Sequence, residues 1–98
     1  MGVTSENVAS KFGINRAEQD AFAAESHARA HRAQEEGFFD EEIVPVRTTV
    51  KGPDGAEVDV LVSKDEGVRA GTTAAKLSGL KAVFKKGGST TAGNASQV

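Results

Sequence analysis

Cysteine, tryptophan and tyrosine are absent from these 98 residues, and methionine occurs once. Without cysteine the chain can form no disulfide, no thiolate zinc site and no thiol nucleophile of its own. The aromatics are five phenylalanines, and leucine stands only at Leu61, Leu77 and Leu80. A domain of this size buries about 60–65% of its unfolded surface at best, and much of the apolar content here is alanine, which covers little area. The composition predicts marginal stability for the chain alone. An excess of one charge is also missing. Twelve basic residues face fourteen acidic ones, for a net charge of -2, which gives no general attraction to nucleic acid or anionic membrane. No apolar run approaches the length of a membrane-spanning helix, and Met1-Gly2 opens no signal peptide.

What remains is ordinary globular composition, 38% hydrophobic and 27% charged, enough for one small domain or a piece of a larger one. "TSENVASKFG" reads as a short helix. Thr4 or Ser5 is placed to cap it, Glu6 suits its positive end, and Gly13 stops it. "INRAEQDAFAAESHARAHRAQEEG" predicts a long helix, with Asn15 and Glu18 in capping-box spacing and Gly37 as the stop. Ala17, Ala21, Ala24 and Ala28 form a stripe along it that wants a partner surface. Val46, Thr48 and Val50, then Val58, Val60 and Val62, alternate as two strands around the Pro53-Asp54-Gly55 turn signal. A lone hairpin is unstable in water, so it is expected to pack on the helices, with Pro45 marking an edge. Thr72 or Thr73 caps a last short helix running to about Leu80, weakened by Gly79. The expected fold class is α+β: a long helix, short flanking helices and a β-hairpin.

Several stretches suggest chemistry, each against a plainer reading. Gly88 to Gly93 has the glycine spacing of a phosphate-binding loop. Asn94 and Ala95 then stand where Lys and Ser or Thr are needed, so nucleotide binding of that kind is disfavoured. Asn94-Ala95-Ser96 fits a glycosylation sequon, with nothing to suggest secretion. His27, His31 and Glu35 are spaced by one helical turn, as in a metal site. No cysteine or third histidine supports them, so two solvated histidines are preferred and no metal is expected. "KLSGLKAVFKK", residues 76–86, sets Leu77, Leu80 and Phe84 among Lys76, Lys81, Lys85 and Lys86. It is either a basic amphipathic segment that docks into a protein partner's groove or onto anionic lipid, or a short surface helix with a solvated charged face, and the last is preferred.

Four stretches in order, "MGVTSENVA", "RAEQDAFAAESH", "DEGVRAGTT" and "FKKGGSTTAGNASQV", resemble the thiolases, most closely their peroxisomal 3-ketoacyl-CoA type. The resemblance covers nearly the whole chain. It implies a much longer protein with two αβαβα halves and a loop domain inserted in the first. Residues 1–88 would then be a loop-domain segment, and residues 89–98 the loop leading back into the first half. On this reading the chain is a fragment that ends where a core strand is due.

The resemblance also implies acyl transfer by a cysteine that forms an acyl-enzyme, takes the acyl group from a 3-ketoacyl-CoA and passes it to a second CoA. The family's two cysteines and its catalytic histidine have no counterpart here, so the chain alone is expected to be inactive, with no catalytic residue. What it would carry is coenzyme A binding, with CoA as substrate and no cofactor. By motif, Arg69 matches an arginine stacked on adenine, Ser96 a serine bonding the pantetheine arm, and Met1 a methionine of the acyl pocket. Gly93 lets backbone approach the arm. Lys81, Lys85 and Lys86 would add attraction for phosphates, and Ala82 stands where the family often has proline. The implied partners are acyl-CoA and the rest of a thiolase chain, in a peroxisomal homodimer.

Overall fold

The computed structural model describes residues 1–96; Gln97 and Val98 lie outside the described residues. The element order is α1 (Gly2–Phe12), α2 (Arg16–Glu35), β1 (Val46–Lys51), β2 (Glu57–Val62) and α3 (Ala74–Ser78). This is the α+β arrangement that the periodicities predict.

The helix boundaries follow from capping chemistry. Asn15 Oδ1 accepts from the Glu18 N–H at 2.8 Å and starts α2. Thr73 Oγ1 accepts from the Lys76 N–H at 3.2 Å and starts α3. The C-terminus of α2 is closed by Gly37 in the left-handed region (φ 77°). There the Phe38 N–H returns to Ala33 O at 3.0 Å and the Gly37 N–H to Gln34 O at 3.1 Å, the paired bonds of a Schellman end. Helix α1 departs from expectation. It begins at Gly2, with Met1 as an N-cap that makes no side-chain bond, and neither Thr4 nor Ser5 caps it. Their backbone is already helical, and the Ser5 N–H is taken by Met1 O at 2.9 Å.

The hairpin register is Val46↔Val62, Thr48↔Val60 and Val50↔Val58. Its turn is closed by the Gly52 N–H on Ala56 O at 2.7 Å and the Gly55 N–H on Gly52 O at 2.9 Å. Among the described residues the strands pair only with each other. Every residue of β1 is exposed, and only Val60 of β2 is half-buried. The expectation that the hairpin packs on the helices is therefore corrected: among the described residues nothing covers its valine face.

Among the described residues the only helices in close contact are α2 and α3. They contribute the sole buried apolar side chains among the described residues, Ala23 and Leu77. The buried face of α2 is not the alanine stripe, since Ala17, Ala21 and Ala28 are exposed. It runs instead through Arg16, Asp20, Ala23, His27 and Ala30, three of them polar. Residues 76–86 do not form one amphipathic helix, because α3 ends at Ser78 with Gly79 as its C-cap.

Candidate functional site

The polar face of α2 is explained by what lies against it, the loop 88–95. Asp20 is 2% exposed. Its Oδ2 accepts from Arg16 Nε at 2.8 Å and its Oδ1 from Asn94 Nδ2 at 3.1 Å. Asn94 Nδ2 also donates to Ser89 O at 2.8 Å, while its Oδ1 accepts the Thr91 N–H at 2.8 Å. Arg16 Nη2 continues the network to Leu77 O at 2.7 Å and Leu80 O at 2.9 Å, fixing the end of α3. Helix α1 closes the loop from the other side. The Ser89 N–H and hydroxyl donate to Glu6 Oε1 at 2.9 and 3.0 Å, and Ser5 and Thr90 hydroxyls meet at 2.7 Å. Gln19 Nε2 reaches Ser89 Oγ at 2.8 Å.

The loop is thus held by side chains from two helices, with no buried side-chain polar atom left unpartnered among the described residues. Its amides are consumed internally: Ser89 by Glu6, Thr91 by Asn94, and Gly93 by Thr91 Oγ1 at 3.1 Å. A phosphate cradle of P-loop type would need those same N–H groups. The sequon reading fails for a similar reason, because the Asn94 amide nitrogen is committed to Asp20 and Ser89.

The Glu6 carboxyl is held below the ordinary carboxylate range. The Ser89 N–H is the largest cause; burial opposes it, and the Ser89 hydroxyl, the Thr90 N–H and the Lys85 charge assist.

An open groove of about 780 Å³ lies between α2, the segment 65–72, α3 and the loop. Arg69, from the segment 65–72, and Gly93 and Ser96, from the loop that follows Ser89, all line it. Helix α2 contributes Phe22, Ser26 and His27. The Gln34 side chain donates to Asp65 O at 3.1 Å and ties the segment before Arg69 to α2. Thr72 Oγ1 donates to Arg69 O at 2.9 Å and shapes the turn that presents the arginine. Gly93 makes a close approach to two leucine side chains. A Cβ there would lie 2.5 Å from Leu77 Cδ2 and 2.6 Å from Leu80 Cδ1, so a small residue lets the groove floor sit on α3.

Other expected residues are not brought here. Met1 is fully exposed at the start of α1 and does not line the groove. Neither do Lys81, Lys85 and Lys86; Lys85 lines a smaller hollow of about 350 Å³ with Glu6 and Arg16. Leu77 is buried while Leu80, Val83 and Phe84 stay exposed, and α3 ends at Ser78, so residues 76–86 present no single amphipathic docking helix. His31 turns to Glu35 at 3.8 Å, and no cluster of three metal-ligating side chains occurs among the described residues. Sequence reasoning missed the Arg16–Asp20–Asn94 hub. The Arg16 and Asp20 spacing of four was visible, but such a pair on a polar helix reads as a surface ion pair.

Comparison with known proteins places these features. A profile of the thiolase N-terminal domain matches residues 1–98. The peroxisomal 3-ketoacyl-CoA thiolases of Yarrowia lipolytica and Homo sapiens are 54% and 56% identical over the whole chain, which spans 24% and 23% of their lengths. The crystal structure of the Bacillus anthracis acetyl-CoA acetyltransferase superposes on 98% of the chain with a TM-score of 0.86 at 50% identity. The dimeric peroxisomal thiolase of Saccharomyces cerevisiae does so over 100% of the chain, with a TM-score of 0.81 at 48% identity. In both cases the chain covers 23% of the solved structure.

Proposed function

The chain belongs to the thiolase family, and from that premise we propose that its groove is the coenzyme A surface of a 3-ketoacyl-CoA thiolase. The observation that carries the reading is the convergence of Arg69, Gly93 and Ser96 on one groove. Arginine combines a planar face with a permanent charge, which suits a purine next to phosphates. The glycine and its small neighbours leave room for a thin pantetheine arm, and the Ser96 hydroxyl can bond its amides. Phe22 on the α2 wall adds apolar area to a groove otherwise rich in polar atoms.

The chemical step falls to groups this sequence does not contain. It has no cysteine, so the thiolate that would take the shortened acyl group from 3-ketoacyl-CoA, with release of acetyl-CoA, and give it to a second CoA must come from other parts of a thiolase. The contribution of these residues is to bind and orient the thioester, which lowers the entropic part of the barrier. Met1 is assigned to the acyl end by resemblance and stands away from the groove, where other parts of the enzyme would complete the pocket. The names of the relatives support a place in peroxisomal fatty-acid β-oxidation, and the dimeric yeast neighbour supports a homodimer.

The test is an amide-correlation NMR titration of the chain with millimolar CoA. Shifts confined to residues around Arg69 and Gly93–Ser96 are expected. Dispersed signals that CoA leaves unmoved would refute the reading.

A further inference from the structure

The segment that carries Arg69 is the least anchored wall of the groove. Residues 63–72 form neither helix nor strand, and among the described residues no backbone–backbone hydrogen bond reaches them. Packing offers little hold either: none of these residues is buried, and only Gly67, Val68 and Thr72 are half-buried. Side chains do the work that a ladder would do elsewhere. The bond from Thr72 Oγ1 to Arg69 O is internal to the segment. Two others come from outside it. Gln34 Nε2, in the last turn of α2, donates to Asp65 O at 3.1 Å. Lys76 Nζ, on α3, donates to Gly71 O at 3.1 Å. Arg69 stands between these two tethers.

We propose that Gln34 and Lys76 are positioning residues for Arg69. By holding the two ends of its segment to α2 and α3, they set where the guanidinium meets the nucleotide end of a coenzyme A-type ligand. The inference rests on the coenzyme A reading given above and deepens it. Neither side chain lines the groove, so both act through backbone carbonyls and not through the ligand. Their attachment points are on the two helices that form the other walls, α2 with Phe22 and α3 with Leu77. Gly93 rests on that same α3 leucine. The tethers therefore fix the span from Arg69 to the pantetheine end at Gly93 and Ser96. A segment without them would have to be ordered when the ligand arrives, and that ordering weakens binding. With them, much of the ordering is already done in the free chain.

The test compares two ligands on the same proteins by NMR titration. CoA would engage Arg69 through its nucleotide end, whereas pantetheine lacks that end and would meet only the Gly93 and Ser96 side. Gln34→Leu and Lys76→Met are each expected to bind CoA about two- to tenfold more weakly than the wild type, the range set by the loss of one hydrogen bond. Both should bind pantetheine as the wild type does. Gln34→Leu changes no charge, so its loss cannot come from weaker attraction of the phosphates. Lys76→Arg keeps a donor and should recover the affinity for CoA. Arg29→Met removes a cation and only the exposed pair with Glu25, and should bind both ligands normally. A merely structural role would weaken both ligands together, and no role would change neither. Either result, or a Lys76→Arg variant as weak as Lys76→Met, overturns the proposal while the coenzyme A reading stands. Wild-type chain that binds neither ligand, or CoA no better than pantetheine, refutes that reading of Arg69 and the proposal with it.

Discussion

Two residues show how single side chains hold the site. Glu6 anchors the loop through Ser89, and its carboxyl is held below its ordinary value of 4.5. A carboxyl with a lower pKa in the folded chain than in the unfolded one favours folding above the unfolded value. The contribution is lost as pH falls through the folded value. Stability is therefore expected to decline below about pH 4.5, and Glu6→Gln should remove that part of the decline. Urea midpoints of both proteins at neutral and acid pH measure it: the gap between them should close on acidification. Gly93 tests the floor. Gly93→Ala drives a methyl against Leu77 and Leu80, and overpacking of that kind costs about 1–3 kcal/mol. A lowered midpoint with weaker CoA binding is expected, whereas an unchanged midpoint would mean that α3 gives way freely.

Local signals made some elements legible and hid others. The caps at Asn15 and Thr73, the stop at Gly37 and the Pro53–Gly55 turn depend on neighbours within a few residues, and each appears where the sequence puts it. The buried face of α2 was not legible, because Asp20 is buried by Asn94, which lies 74 positions away. Hydrophobic periodicity cannot report a face that packs through carboxylate and amide. Of the expected site residues, the groove gathers those on short turns, Arg69 and Gly93, with Ser96, whereas Met1 sits at a helix start outside it. The hairpin misled for a related reason: alternation reveals a face that wants cover but not whether cover is near. With β1 wholly exposed, its ladder should open independently of α2. Hydrogen exchange is expected to be fast throughout 46–62 and slower in the middle of α2. Val60→Thr should leave the helix protection unchanged, and protection of the hairpin equal to that of α2 would contradict its isolation.

The whole molecule is too open for its mass. Its accessible surface is 7789 Å², against about 5,300 Å² expected for a compact protein of this mass and about 14,800 Å² for the unfolded chain. Folding thus buries about half of the unfolded surface, well short of what a compact domain of this length achieves. The radius of gyration says the same, 17.1 Å where a compact chain of this length has about 13 Å. Phe12, Phe22, Phe38 and Val44 are among the side chains left in water. The surplus of about 2,500 Å² is in the range of obligate interfaces, as expected if the rest of a thiolase covers these faces. Beyond the small apolar contact of Ala23 and Leu77, polar bonds hold the loop and helices together, and each is worth about 0.5–1.5 kcal/mol net. That is a small return for ordering so many residues. The chain by itself should therefore unfold at low urea with a shallow slope, since the slope follows the area exposed. It should also bind a hydrophobic dye and associate as its concentration rises. Denaturation and sedimentation velocity decide the matter: a steep transition from a compact, dye-free monomer would show that these faces need no cover.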